Sequence, residues 1–204
     1  MIAIIDYGLG NVKAFAQVYY KLNIPAEVVK KPDDLKSAEK IILPGVGAFD
    51  HAMQLLDKSG LRHTLDECAL ERRIPVLGIC VGMQMLAKSS EEGMLPGLGW
   101  IDGRVLKMHP SKLTHKTCLP HMGWNDVKPT IDNKLFKGLA ENARFYFLHS
   151  YYFQTQYKEN VIAATDYGGL FTCAVNAGNI FGVQFHPEKS HHYGMQLLKN
   201  FAEM

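Results

Sequence analysis

A chain of 204 residues, 47% of them hydrophobic, can bury one sizeable core and fits a single α/β domain spanning residues 1–204. Its 22 Lys and Arg against 20 Asp and Glu leave a formal charge of +2, which removes any broad electrostatic reason to bind nucleic acid or an anionic membrane surface. Small ligands and protein partners are the company such a surface predicts.

The N-terminal segment MIAIIDYGLGN carries no basic stretch ahead of its apolar residues. Asp6 interrupts the run far short of a signal-peptide core or a membrane span, so a cytoplasmic protein is expected. From there, short apolar runs alternate with longer amphipathic ones. Ile2 to Ile5 precedes Val12 to Leu22, and Ala26 to Val29 follows. Lys40 to Leu43 precedes Phe49 to Leu56, and Pro75 to Ile79 precedes Gly82 to Lys88. This is βαβα order, and strands that are apolar on both faces predict a mostly parallel sheet with helices on each side. From Trp100 to Phe185 the runs RVLKM, RFYFLHSYYF, VIAATDY, LFTCAV and NIFGVQF succeed one another with Gly, Asn and Asp between them, which predicts an antiparallel extension. A final amphipathic helix is expected from Tyr193 to Met204. The four cysteines, Cys68, Cys80, Cys118 and Cys173, are scattered without a CxxC pair, so reduced thiols are expected.

Three motifs could carry chemistry. Gly78-Ile79-Cys80-Val81-Gly82 matches a nucleophile elbow with cysteine in place of serine. Glycines two residues either side let strand and helix approach closely enough to expose a nucleophile on a sharp turn. The N–H groups at the start of the following helix would favour a thiolate, and the amide of Val81 would serve as an oxyanion donor. For a lone cysteine the simplest reading is a buried structural thiol. The second motif weighs against that reading. His186-Pro187-Glu188 follows an apolar strand, so that His186 could act as base with Glu188 as its orienter, making a Cys-His-Glu triad. Third, Leu43-Pro44-Gly45-Val46-Gly47-Ala48-Phe49 places glycines after a strand, where a backbone amide can turn into a cleft as the second oxyanion donor. A tight turn or a phosphate loop remains the alternative for that segment, although it lacks the Lys-Ser/Thr of a P-loop and the full GxGxxG spacing.

GICVGMQ, PGVG and FGVQFHPE together resemble the class I, triad-type glutamine amidotransferases. The likeness covers essentially the whole chain. MIAIIDYGLGNV, PHMGWN, FYFLHSYY and QFHPEKS narrow it to a likeness with the glutaminase subunits of imidazole glycerol phosphate synthases. The resemblance implies one flavodoxin-like domain that hydrolyses glutamine to glutamate and ammonia without a cofactor or metal. It also implies a heterodimer with a TIM-barrel cyclase, to which the ammonia passes in histidine biosynthesis. By the same resemblance Cys80 is the nucleophile, His186 the base and then acid, and Glu188 its orienter. Val46 and Gly47 correspond to the oxyanion strand. Gln84, one helical turn after Cys80, helps to hold glutamine, as do Glu92 in SSEEG and the segment His149, Ser150 and Tyr151. Trp124 corresponds to a residue at the partner interface.

Other readings stay open at this point. Gly99-Trp100-Ile101-Asp102 resembles paralogous glutaminases found with surface-polysaccharide sugar amidotransferases. A cysteine peptidase of related fold would need neither the Gln84 to Glu92 segment nor PHMGWN. His109, His115, Cys118 and His121 in HPSKLTHKTCLPH could suggest a zinc-binding module, but their spacing fits none of the usual ligand pairs.

Overall fold

Apolar residues on both faces of a strand demand cover on both faces, and the chain folds accordingly. The computed structural model describes residues 1–109 and 118–204. Strands β1 (Ile2–Ile5), β2 (Ala26–Val29), β3 (Lys40–Gly45) and β4 (Val76–Cys80) appear where the apolar runs place them. Helices α1 (Val12–Lys21), α2 (Phe49–Ser59) and α3 (Arg62–Asp66) connect them.

The principal sheet has eight strands. With β8 (Lys128–Pro129), β11 (Val161–Asp166), β12 (Leu170–Ala177) and β13 (Ile180–Val183), its order is β2-β1-β3-β4-β13-β12-β11-β8. Five neighbouring strands, β2 to β13 in that order, run parallel, and β12, β11 and β8 extend them antiparallel. The connection through α1 steps one way from β1 to β2, and the connection through α2 and α3 steps the other way from β3 to β4. Right-handed crossovers therefore put these helices on opposite faces. C-terminal helix α5 (His191–Glu203) joins α1, where Tyr19 Oη donates to Leu198 O at 3.3 Å. The large buried side chains Phe15, Tyr19, Phe49 and Phe201 fill the two layers. Among the described residues no helix is long and apolar enough to cross a membrane, and all four cysteines are free thiols.

Three expectations need correction. RFYFLHSYYF is not one strand: it breaks at Ser150 into β9 (Arg144–His149) and β10 (Tyr151–Thr155). β9 pairs with β7 (His121–Asp126) in a two-stranded ribbon, whereas β10 pairs with β6 (Gly103–Lys107) in a small sheet that also holds β5 (Ser89–Ser90). The helix expected over Gly82 to Lys88 is only α4 (Val81–Met85), because the chain turns at once into β5. NIFGVQF is likewise half antiparallel, since β13 meets β12 on one side and parallel β4 on the other.

α4 packs against β3 and β4 with no room for side chains between them. A Cβ on Gly82 would run into Leu43 O, and one on Gly78 would lie 2.7 Å from Gly82 O. Both obstacles are backbone atoms, so neither can swing aside. Gly82→Ala is expected to lower the unfolding free energy by roughly 1–3 kcal/mol or more, measured by denaturant titration. An unchanged midpoint would show that the α4 backbone can shift freely.

Candidate active site

Cys80 ends β4 with φ +56° and ψ −112°, a conformation that L-residues rarely adopt and that marks a sharp strand-to-helix turn. Gly45, level with Cys80 on β3, allows the approach, since a Cβ there would collide with Gly82 N. The cost of the turn is borne by the packing of α4, and the sulfur is thereby aimed out of the sheet. Its Sγ lies 3.9 Å from Leu148 O and 3.8 Å from Gln184 Nε2. At the first residue of α4, the Val81 N–H has no helical partner of its own.

His186 reaches the same point from the end of β13. Its backbone N–H donates to Tyr146 O at 2.8 Å, and the Ser190 hydroxyl donates to His186 O at 2.6 Å while accepting from Tyr146 N at 3.0 Å. The ring is thus braced from both sides. Nδ1 donates to Glu188 Oε1 at 2.9 Å, and both side chains are buried. Glu188 Oε2 has no partner among the described residues, so His186 is the one side chain this carboxyl group engages there. Burial alone would lower the proton affinity of His186. Hydrogen bonds to Cys80 and Glu188, with their negative charges, outweigh it and push the pKa up to about 10.

Around the sulfur opens a cleft of about 330 Å³, lined by Val46, Gly47, Cys80, Val81, Gln84, Glu92, Pro120, Leu148, His149, Ser150, Tyr151, His186 and Lys189. Every residue expected at the oxyanion or substrate positions lines it. Gly47 has φ +84°, which glycine supplies without strain. Beneath this segment the buried Tyr7 donates from Oη to Pro44 O at 2.8 Å. Glu92 sits against the start of α2, where Oε2 accepts from Phe49 N at 2.9 Å. Gln84 Nε2 donates to Tyr151 O at 3.2 Å and to Gln184 Oε1 at 3.1 Å. Trp124 stands apart on β7, 39% exposed beside Met122 at 63%, with its ring stacked on His191 at 5.1 Å.

The sequence matches the family described as Glutamine amidotransferase class-I over residues 3–204. The chain belongs to this class-I glutamine amidotransferase family. It is 57% identical over 204 residues to the imidazole glycerol phosphate synthase subunit HisH of Bdellovibrio bacteriovorus, with 100% of each chain covered. It is 55% identical to the subunit of the same name in Leptospira interrogans, again with 100% of both covered. Among solved structures, PurLQS from Thermotoga maritima has the same fold, with a TM-score of 0.72 at 20% identity over 99% of this chain and 97% of that one.

Sequence reasoning missed Gln184, Pro120, Leu148 and Lys189. Gln184 and Lys189 flank HPE within the motif that was read, so their nearness to the site could have been suspected. Leu148 and Pro120 reach it only through the pairing of β7 with β9. Of the residues considered for zinc, His115 lies outside the described residues. His121 turns inward, its two ring nitrogens engaged by His149 and Asn125, and Cys118 is exposed. Among the described residues no group of three or more His, Cys, Asp or Glu side chains is placed to hold a metal ion. Burial pushes the thiols of Cys68 and Cys173 up, which leaves both inert beside Cys80.

The elevated affinity of His186 has a direct readout. Since its pKa lies above the ordinary value near 6.5, the ring is protonated at neutral pH in the folded protein. Titration followed by imidazole NMR is expected to show no loss of that proton between pH 6.5 and 9. Cys80→Ala and Glu188→Gln should each bring the midpoint down by at least about one unit. A wild-type midpoint near 6.5 would contradict the assignment.

Proposed function

We propose that residues 1–204 act as one glutamine amidotransferase domain, the glutaminase subunit of an imidazole glycerol phosphate synthase. The observation that carries the proposal is the convergence on one cleft of a strained Cys80, a His186 hydrogen-bonded to Glu188, and the residues Gln84, Glu92 and His149 to Tyr151. The full-length relatives named as this subunit support the choice of synthase.

The reaction follows from these positions. Glutamine enters with its carboxamide toward Cys80 and its amino-acid end toward Glu92 and the 149–151 turn. The Cys80 proton resides on His186, and Sγ attacks the carboxamide carbon to form a C–S bond. Backbone N–H groups of Val81 and of the Val46–Gly47 segment hold the oxygen that becomes negative. His186 then passes its proton to the amide nitrogen, the C–N bond breaks, and ammonia leaves behind a glutamyl thioester. Water attacks the thioester as His186 takes up its proton. The C–S bond breaks, glutamate departs, and the cysteine and imidazole return to their starting state. Ammonia released into water near neutral pH becomes non-nucleophilic ammonium, so a docked synthase with a shielded passage is required. A TIM-barrel cyclase subunit is that partner, and exposed Trp124 and Met122 give it an apolar patch on which to dock.

Glutamate release by the purified chain, alone and with a histidine-pathway cyclase bearing its nucleotide ligand, tests the assignment. Strong stimulation that depends on Cys80 is expected. If a folded protein whose Cys80 still reacts with a glutamine-analogue label is not stimulated, the glutaminase stands and its acceptor is a sugar-amidotransferase synthase instead. Cys80→Ala is expected to abolish glutamine hydrolysis while the complex still uses added ammonium salts. Loss of both activities would contradict the division of labour. Trp124→Ala should weaken docking by about tenfold or more without changing the fold, as read by a sedimentation titration; an unchanged dissociation constant would remove Trp124 from the interface.

A further inference from the structure

His149 of the cleft wall is paired with a second buried histidine, His121, to which the reaction assigns no role. His121 Nδ1 is 3.0 Å from His149 Nε2, and His149 Nδ1 is 2.8 Å from Tyr151 O. Asn125 Nδ2 approaches His121 Nε2 at 3.3 Å. The Tyr151 carbonyl can only accept, and that single fact fixes every proton in the chain. His149 must carry its hydrogen on Nδ1, so its Nε2 accepts. His121 must therefore donate from Nδ1, and its own Nε2 accepts from Asn125. Both rings are neutral in this arrangement. Burial lowers His121 to about 4 and, with the neighbouring His121, lowers His149 to about 3.

His121 is held flat between Phe147, at 4.6 Å and 18°, and Tyr167, at 3.9 Å and 22°. The ring has one orientation, and so the donor it offers His149 has one direction. Tyr151 O also accepts from Gln84 Nε2, which in turn donates to Gln184 Oε1, while Gln184 Nε2 points at the Cys80 sulfur. One carbonyl thus joins the imidazole pair to the wall of the cleft.

We propose that His121 is a positioning residue for this site, holding the turn from His149 to Tyr151 in the conformation that receives the substrate; this rests on the glutaminase reading above. Without its donor, His149 Nε2 is left buried and unpaired. Nothing then fixes the tilt of the ring, which can swing away from Tyr151 O, and the turn loosens together with Gln84. Alternation along β7 gives the arrangement a second aspect. His121 faces inward on the same strand that exposes Met122 and Trp124, so pocket geometry and docking face share one strand.

His121→Phe keeps the stacked ring and deletes both nitrogens. In the complex with the synthase partner it is expected to raise the KM for glutamine roughly tenfold while kcat stays within about twofold, and ammonium-dependent turnover by the partner should not change. His121→Asn, whose Nδ2 can occupy the place of the Nδ1 donor, should restore most of the affinity. A folded His121→Phe with unchanged KM would overturn the proposal. So would equal losses in both variants that track a fall in thermal stability. Where His121→Phe fails to fold, nitrogen-15 NMR of the wild-type imidazoles decides: both rings are expected as the Nδ1–H tautomer, and an Nε2–H tautomer at either overturns the chain. Lack of Cys80-dependent hydrolysis in the wild type is a separate result that overturns the glutaminase reading itself.

Discussion

Everything at this site depends on how closely a helix can approach a strand. α4 lies on β3 with glycines at 45, 78 and 82 where any side chain would strike backbone, and the turn between β4 and α4 forces Cys80 to a positive φ. Strain of this kind persists only where the surroundings over-determine it, and here β4 is flanked by strands on both sides and covered by a buried helix. The result is a sulfur that cannot retreat into the sheet. Val81, Gln84 and the 45–47 segment take their places from the same contact.

The second organising constraint is electrostatic. His186 and His149 line one cleft, yet their proton affinities move in opposite directions. Desolvation acts on both. His186 has a buried carboxylate and a sulfur to hold its charge, whereas His149 meets a carbonyl and a neutral imidazole, which reward only the uncharged ring. A single charged imidazole in the cleft leaves no ambiguity about which group carries the proton.

Much of this was legible in the sequence. The first four strands and three of the helices follow from apolar runs that needed cover on both faces, and the triad residues sit in short contiguous motifs at strand ends. What escaped was set by contacts distant in sequence. The alternation in RFYFLHSYYF continues through Ser150, and only the different partners of β9 and β10 break it. The run after Cys80 is apolar throughout because it is buried on every side, and such a run does not reveal where a helix stops. His121 was weighed in the sequence only as a zinc ligand, since nothing local announces that β9 will bring His149 to its ring.

Gln84 has one further consequence. Both hydrogens of its carboxamide nitrogen are taken by carbonyl oxygens, at Tyr151 and at Gln184, so its orientation is fixed and only its own oxygen remains to face the cleft. A neutral amide arriving there can donate to that oxygen. The acid left after hydrolysis brings oxygens of its own, without a hydrogen to offer. That wall of the cleft therefore offers an acceptor alone: a group with a hydrogen to give is satisfied there, and a bare carboxylate is not.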